Sequence, residues 1–281
     1  MTALRQPIWL WDVLGVAPAG DGARFEAGGV SFEMRDGIPR ARDVASQSQA
    51  ETRDAFAFIW SGTERFAEND KLDVFRDWYR ENFGDVAGAA WWADHGTLPL
   101  VVEAGCGAGI SGSMTFGQRL RDMRYLGVDI SSAVDAAAAR FAGQGLPGAF
   151  LQANLMRLPL APGSVDVIFS QGVLHHTDST REAIETLSHL LKPGGRFLFY
   201  VYRRKGPVRE FTDDYVRDRP GHGTTGTVGP DHGPDQTGRS ARQTGRHGRC
   251  ARGCRAAGHP GWPDRHPAPV LLARRQGLLP A

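Results

Sequence analysis

Cysteine is scarce, with three residues in a chain of 281. That is too few for a disulfide framework. No apolar run approaches the ~20 residues a membrane-spanning helix needs. No charged segment leads into a short apolar one at the start of the chain. These absences lead to the expectation of a cytoplasmic protein with no membrane partner. The net charge is only +2, so the global basic signature of a nucleic-acid binder is lacking, and a nucleic-acid partner is not expected. The C-terminal stretch lacks more. Pro220 to Ala281 contains no Lys, Glu, Ile, Phe, Tyr, Met or Asn, but 12 Gly, 9 Arg, 8 Pro and 5 His. A segment so poor in large apolar side chains buries too little surface to offset its own ordering.

What is present centres on Val101-Val102-Glu103-Ala104-Gly105-Cys106-Gly107-Ala108-Gly109. Leu98 to Val102 reads as a buried parallel strand. It ends at an acid and enters a turn with Gly at every second position, and helical signals follow. Such a turn lets backbone N–H groups and a helix start face a ligand at the carboxyl edge of an α/β sheet. Two patterns fit. Gly107-x-Gly109-x-x-Gly112, with Asp129 some twenty residues on, fits the dinucleotide fingerprint of an NAD-dependent reductase. The acid-first pattern Glu103-x-Gly105-x-Gly107-x-Gly109 resembles motif I of class I S-adenosylmethionine (SAM) methyltransferases.

Strands and helices then alternate. Ser113 to Met123 reads as a helix and Tyr125–Asp129 as a second strand. Ser131 or Ser132 caps a helix running to Ala142. Ala149–Gln152 and Val165–Ser170 are the third and fourth strands. Ser179-Thr180-Arg181-Glu182 is a capping box that opens a helix, which Lys192-Pro193-Gly194-Gly195 breaks. Arg196–Tyr202 is the fifth strand. This alternation argues an α/β fold with a parallel sheet covered on both faces.

The block Gly163-Ser164-Val165-Asp166-Val167-Ile168-Phe169-Ser170-Gln171-Gly172-Val173-Leu174-His175-His176, with Lys192-Pro193-Gly194-Gly195-Arg196 after it, resembles the type 11 methyltransferases. That group includes the ubiquinone and menaquinone methylases. The resemblance covers about residues 98–204. It implies a Rossmann-like class I methyltransferase fold with strand order 3-2-1-4-5 and SAM as cofactor. It also implies methyl transfer to O, N or C of a small molecule. By resemblance, Glu103, Gly105, Cys106 and Gly107 hold the methionine end, with Glu103 on its ammonium group. Asp129 takes the ribose and Asn154 the adenine, Gln171 flanks the methionine and the methyl group, and Ile130 and Leu155 are further cofactor-binding residues. The family often has Asp where Asn154 stands; an amide oxygen can accept the same hydrogen bond. His175 and His176 are candidate general bases, and also a turn element common in the family. Tyr200 and Tyr202 are weaker candidates. No metal site is expected: His247, Cys250, Cys254 and His259 are irregularly spaced among Gly and Arg.

Residues 1–48 read as a small β-rich segment with a hairpin around Gly28-Gly29. The hairpin and Asp36-Gly37-Ile38-Pro39 resemble the zinc ribbon ahead of some methyltransferases, without its cysteines. Residues 49–96 read as helical, an aromatic-striped lid, with Gln49–Trp60 one helix and Asn69 or Asp70 capping the next. Residues 97–216 form the cofactor domain. Residues 217–281 are a disordered basic tail or the product of a frame change near Arg219; the composition favours the latter. The last antiparallel hairpin of the fold is expected to be missing, and the frame change predicts that the fifth strand becomes an open edge. A degenerate, non-catalytic SAM-binding protein is the alternative this tail motivates.

Overall fold

The computed structural model describes residues 6–42, 69–201 and 271–274. These lie in one compact unit made of residues 1–203 and 267–281. The expected helix at 49–60, Tyr202 and the His247–His259 group fall outside the described residues.

The chain opens with α1 (Ile8–Leu14), where a β-rich segment is expected. Its buried Leu10, Trp11 and Leu14 share one helical face. Gly15 ends it in the left-handed conformation, with Val16 N–H donating back to the Trp11 carbonyl. A three-stranded antiparallel meander follows: β1 (Arg24–Ala27), β2 (Val30–Arg35) and β3 (Ile38–Ala41). Gly28-Gly29 and Asp36-Gly37 all have positive φ, the requirement of the two-residue turn whose twist suits a hairpin. The third strand is not apparent in the sequence, because Ile38-Pro39-Arg40-Ala41 is short and carries a proline.

Helix α2 (Asn69–Phe83) then leads through the Ala90–Asp94 3₁₀ turn to β4 (Leu100–Ala104). Helix α3 (Ile110–Phe116) begins before the expected Ser113 and tightens into a 3₁₀ segment at Gly117–Asp122. After it come β5 (Arg124–Asp129), α4 (Ala133–Gly143), β6 (Ala149–Gln152) and β7 (Val165–Gln171). The last pieces are α5 (Thr180–Leu190), β8 (Leu191–Tyr200) and β9 (Leu271–Arg274). The Ser179 hydroxyl accepts the Glu182 N–H at 3.2 Å, as its cap pattern requires. Ser179→Ala is expected to cost about 1 kcal/mol, read as a lower urea midpoint with an unchanged slope.

The sheet order is β1-β2-β3-β6-β5-β4-β7-β8-β9. Its centre, β6-β5-β4-β7-β8, is parallel and has the expected order. Successive residues on each strand face opposite cores. Val102, Leu126, Leu151, Ile168 and Phe197 join α1 and α5 on one side. Val101, Tyr125, Phe150, Phe169 and Leu198 join α2, α3 and α4 on the other. Both faces are covered, which is why these strands read as continuous apolar runs.

Three features correct the expectations. First, β8 starts at Leu191, not at Arg196. The register jumps from Val165↔Leu191 to Val167↔Arg196, so Lys192 to Gly195 bulge out of the strand. A bulge accommodates Pro193, which has no N–H for the ladder. Second, the meander is not separate: β3 joins β6 in parallel at Arg40↔Gln152. Third, β8 is not an open edge. Leu271–Arg274 pairs with it antiparallel, from Phe199↔Leu271 to Arg196↔Arg274. The unpaired N–H and C=O groups of an edge strand are a template for such an addition.

Candidate functional site

The parallel strands end together at one edge, and the order reverses between β4 and β7. That reversal is where open α/β sheets bind ligands. The glycine loop leaves β4 there. Gly105 and Cys106 N–H both donate to the Val128 carbonyl, at 2.8 and 2.9 Å. Gly105, Gly107 and Gly109 all have positive φ, so this loop conformation needs glycine. A methyl group on Gly105 would also strike the Val173 side chain. Ser170, fully buried on β7, donates to the Ala104 carbonyl at 2.8 Å and ties the two strands below the loop.

Asp129 ends β5 beside this loop and is partly exposed. Its carboxylate accepts Gly107 N–H at 2.9 Å, Ser131 N–H at 2.9 Å and the Ser131 hydroxyl at 2.7 Å. Burial pushes its pKa up, and these donors oppose the rise. Ile130 is half-buried next to it. Asn154 caps the Leu155–Arg157 turn after β6, its Oδ1 accepting Met156 N–H at 3.0 Å. Leu155 is buried there. Gln171 ends β7, half-buried. Gly105, Gly107, Asp129, Ile130, Asn154, Leu155 and Gln171 thus come together at the carboxyl edge.

Glu103 is placed differently. Its side chain is fully buried and takes hydrogen bonds from Ser111, Tyr125 and the Gly112 backbone. It has no exposed carboxylate to offer an ammonium group. It braces the start of α3 from beneath the loop instead. Burial pushes its pKa up to about 7, against the pull of the three donors. Cys106 is buried, and burial drives its thiol pKa well up; a thiol held protonated is a poor nucleophile.

His175 and His176 sit in the 3₁₀ turn after β7, ring centroids 4.1 Å apart. Burial, then the neighbouring His176, lowers the His175 pKa to about 3. His176 is lowered by burial. Tyr200, at the end of β8, packs edge-on against Trp78 of α2 at 4.9 Å, and burial raises its pKa. The aromatic stripe of α2 therefore packs onto the sheet near its carboxyl edge. Two crevices, of about 400 and 580 Å³, lie elsewhere; neither is lined by Gly105, Asp129 or Asn154.

The contacts around Ser131, Val173, Gln152 and Arg40 are not readable in the sequence. Ser131 carries only a helix-cap signal, and the other three carry no local signal.

This acid-terminated strand, glycine loop and second acid match a known family. Residues 102–199 match the family described as a methyltransferase domain. Over 109 residues the chain is 34% identical to the tRNA U34 carboxymethyltransferase of Hydrogenovibrio crunogenus, covering 35% of this chain and 30% of that one. Over 97 residues it is 34% identical to an uncharacterized methyltransferase of Mycobacterium bovis, covering 34% and 46%. Among solved structures, geranyl diphosphate C-methyltransferase from Streptomyces coelicolor, bound to Mg2+, geranyl diphosphate and S-adenosyl-L-homocysteine, aligns with a TM-score of 0.43. That alignment has 18% identity and covers 62% of this chain and 74% of that one. The chain spans less than half the length of the two sequence relatives. The matched segment begins inside β4 and ends inside β8, so the meander and α2 lie outside it.

Proposed function

We propose that this protein binds SAM at the carboxyl edge and transfers its methyl group to a small-molecule acceptor. The reading rests foremost on Asp129, a carboxylate at the end of β5 that is locked to the glycine loop through Gly107. The residues present suit the cofactor. An acceptor-only carboxylate matches two ribose hydroxyl donors. Ile130 and Leu155 offer apolar surface for a flat ring, and Asn154 an amide at its rim. The loop from Gly105 to Gly107 lets the chain pass close to the methionine end, with Gln171 flanking the methyl group. Bound SAM supplies a methyl group already activated on a sulfonium.

What remains for the protein is alignment and exclusion of water, and orientation supplies most of such an acceleration. His175, with a pKa near 3, is neutral at pH 7 and a weak proton acceptor. Proton removal is therefore not assigned to it. The acceptor lies on the α2 and Tyr200 side of the edge in this reading.

Calorimetric titration of the purified protein with SAM tests the proposal, followed by an acceptor screen with radiolabelled methyl donor. Saturable binding and label on a small molecule support it. Binding with label only on RNA would redirect the acceptor class. Binding without turnover would favour the degenerate alternative, and a folded protein that binds no SAM would end the enzymatic reading. Nicotinamide dinucleotide is titrated in parallel.

A further inference from the structure

Arg40 lies outside the matched domain, on β3, and is only 6% exposed. A guanidinium so buried is costly unless its donors are used. Nη1 donates to Gln152 Oε1 at 2.9 Å. Nη2 donates to Asp135 Oδ1 at 2.6 Å and to the Arg35 carbonyl at 3.4 Å. Asp36 is a more distant partner at 3.9 Å. Gln152 ends β6, and Asp135 lies in the first turn of α4. These two elements flank the Asp129–Ser132 loop.

The chemistry of Arg40 sets the orientation of Gln152. Arginine has only donors, so the amide must turn its oxygen toward Arg40. Its Nε2 then faces the other way and donates to the Ile130 carbonyl at 3.1 Å. One buried cation thus fixes the residue after Asp129 through Gln152 and the helix after it through Asp135.

We infer that Arg40 is a positioning residue for the adenosine end of the cofactor site, acting through Gln152 on the Ile130 backbone. The inference rests on the SAM-binding reading above. It gives the N-terminal meander a task in the site: it supplies a clamp that the methyltransferase domain does not contain.

Two variants separate positioning from folding. Arg40→Ala removes the clamp. Gln152→Glu keeps a partner for Arg40, but its carboxylate cannot donate to Ile130. Both are expected to raise the SAM Kd about tenfold, the value of one good hydrogen bond to a charged or oriented group. The turnover rate at saturating SAM should change less than about twofold, since the lost contacts serve binding equally in ground and transition states. Amide hydrogen exchange at Ile130–Ala133 should quicken in both variants, with or without cofactor. Wild-type exchange at this loop in folded Gln152→Glu overturns the clamp itself. Faster exchange with an unchanged SAM Kd overturns the positioning role. Wild-type protein that binds no SAM, while the variants still loosen the loop, ends the SAM reading and the assigned role with it. The exchange data show which of the two ideas failed.

Discussion

Replacing Asp129 by alanine is expected to weaken SAM binding by about a hundredfold or more, because hydrogen bonds to a charged acceptor contribute about 1.5–3 kcal/mol each. Two losses combine. The ribose hydroxyls lose their acceptor. The Gly107 N–H, now held at 2.9 Å by this carboxylate, loses its partner too, so the glycine loop relaxes. Asp129→Asn keeps the size but turns one acceptor into a donor, which then faces either Gly107 N–H or the Ser131 N–H and hydroxyl. Its affinity should fall between that of alanine and wild type. Titration of all three proteins with SAM and S-adenosyl-L-homocysteine reads the effect, with circular dichroism confirming the fold. Equal affinities in wild type and Asp129→Ala would remove this carboxylate from the site.

Glu103→Gln is expected to make the protein more stable at alkaline pH, not less. The folded chain holds a proton on Glu103 up to about pH 7, whereas the reference carboxyl releases it at 4.5. Between those values the folded state binds more protons than the unfolded state, so stability falls as pH rises. The fall ends above about pH 7, where both states are ionised. The gap corresponds to about 3 kcal/mol. Below pH 4.5 the protonated carboxyl and the amide are near equivalents, since Ser111 and Tyr125 hydroxyls can each donate or accept. Urea unfolding at pH 4.5 and 8.5 tests this. The variant should match wild type within about 1 kcal/mol at the lower pH and exceed it by about 3 kcal/mol at the higher. Parallel stability curves for the two proteins would mean that Glu103 ionises as readily folded as unfolded. Asp129 is raised as well, and its charge is one of the lesser causes that raise Glu103, so its own slope cancels only in part in the comparison.

The sequence by itself determined the parallel core. Each of the five strands carries its own apolar run, and the glycine loop and Asp129 sit where strand runs stop. Ser179 announced its helix through a four-residue pattern. These signals are local, so reading along the chain finds them. The tertiary structure alone decided where Glu103 faces. A carboxylate after an apolar run reads as a ligand at a strand end, but Tyr125, 22 residues away, and Ser111, on the next helix, close over it. It also decided the edges of the sheet. β3 holds only four residues and a proline, and β9 is an island of Leu in a Gly- and Arg-rich stretch. Each became a strand because a neighbouring edge offered unpaired backbone groups. Arg40 was invisible for the same reason. Its partners Asp135 and Gln152 lie 95 and 112 residues away in sequence. Pairing and burial over such distances are set by which surfaces meet, and no local pattern encodes that.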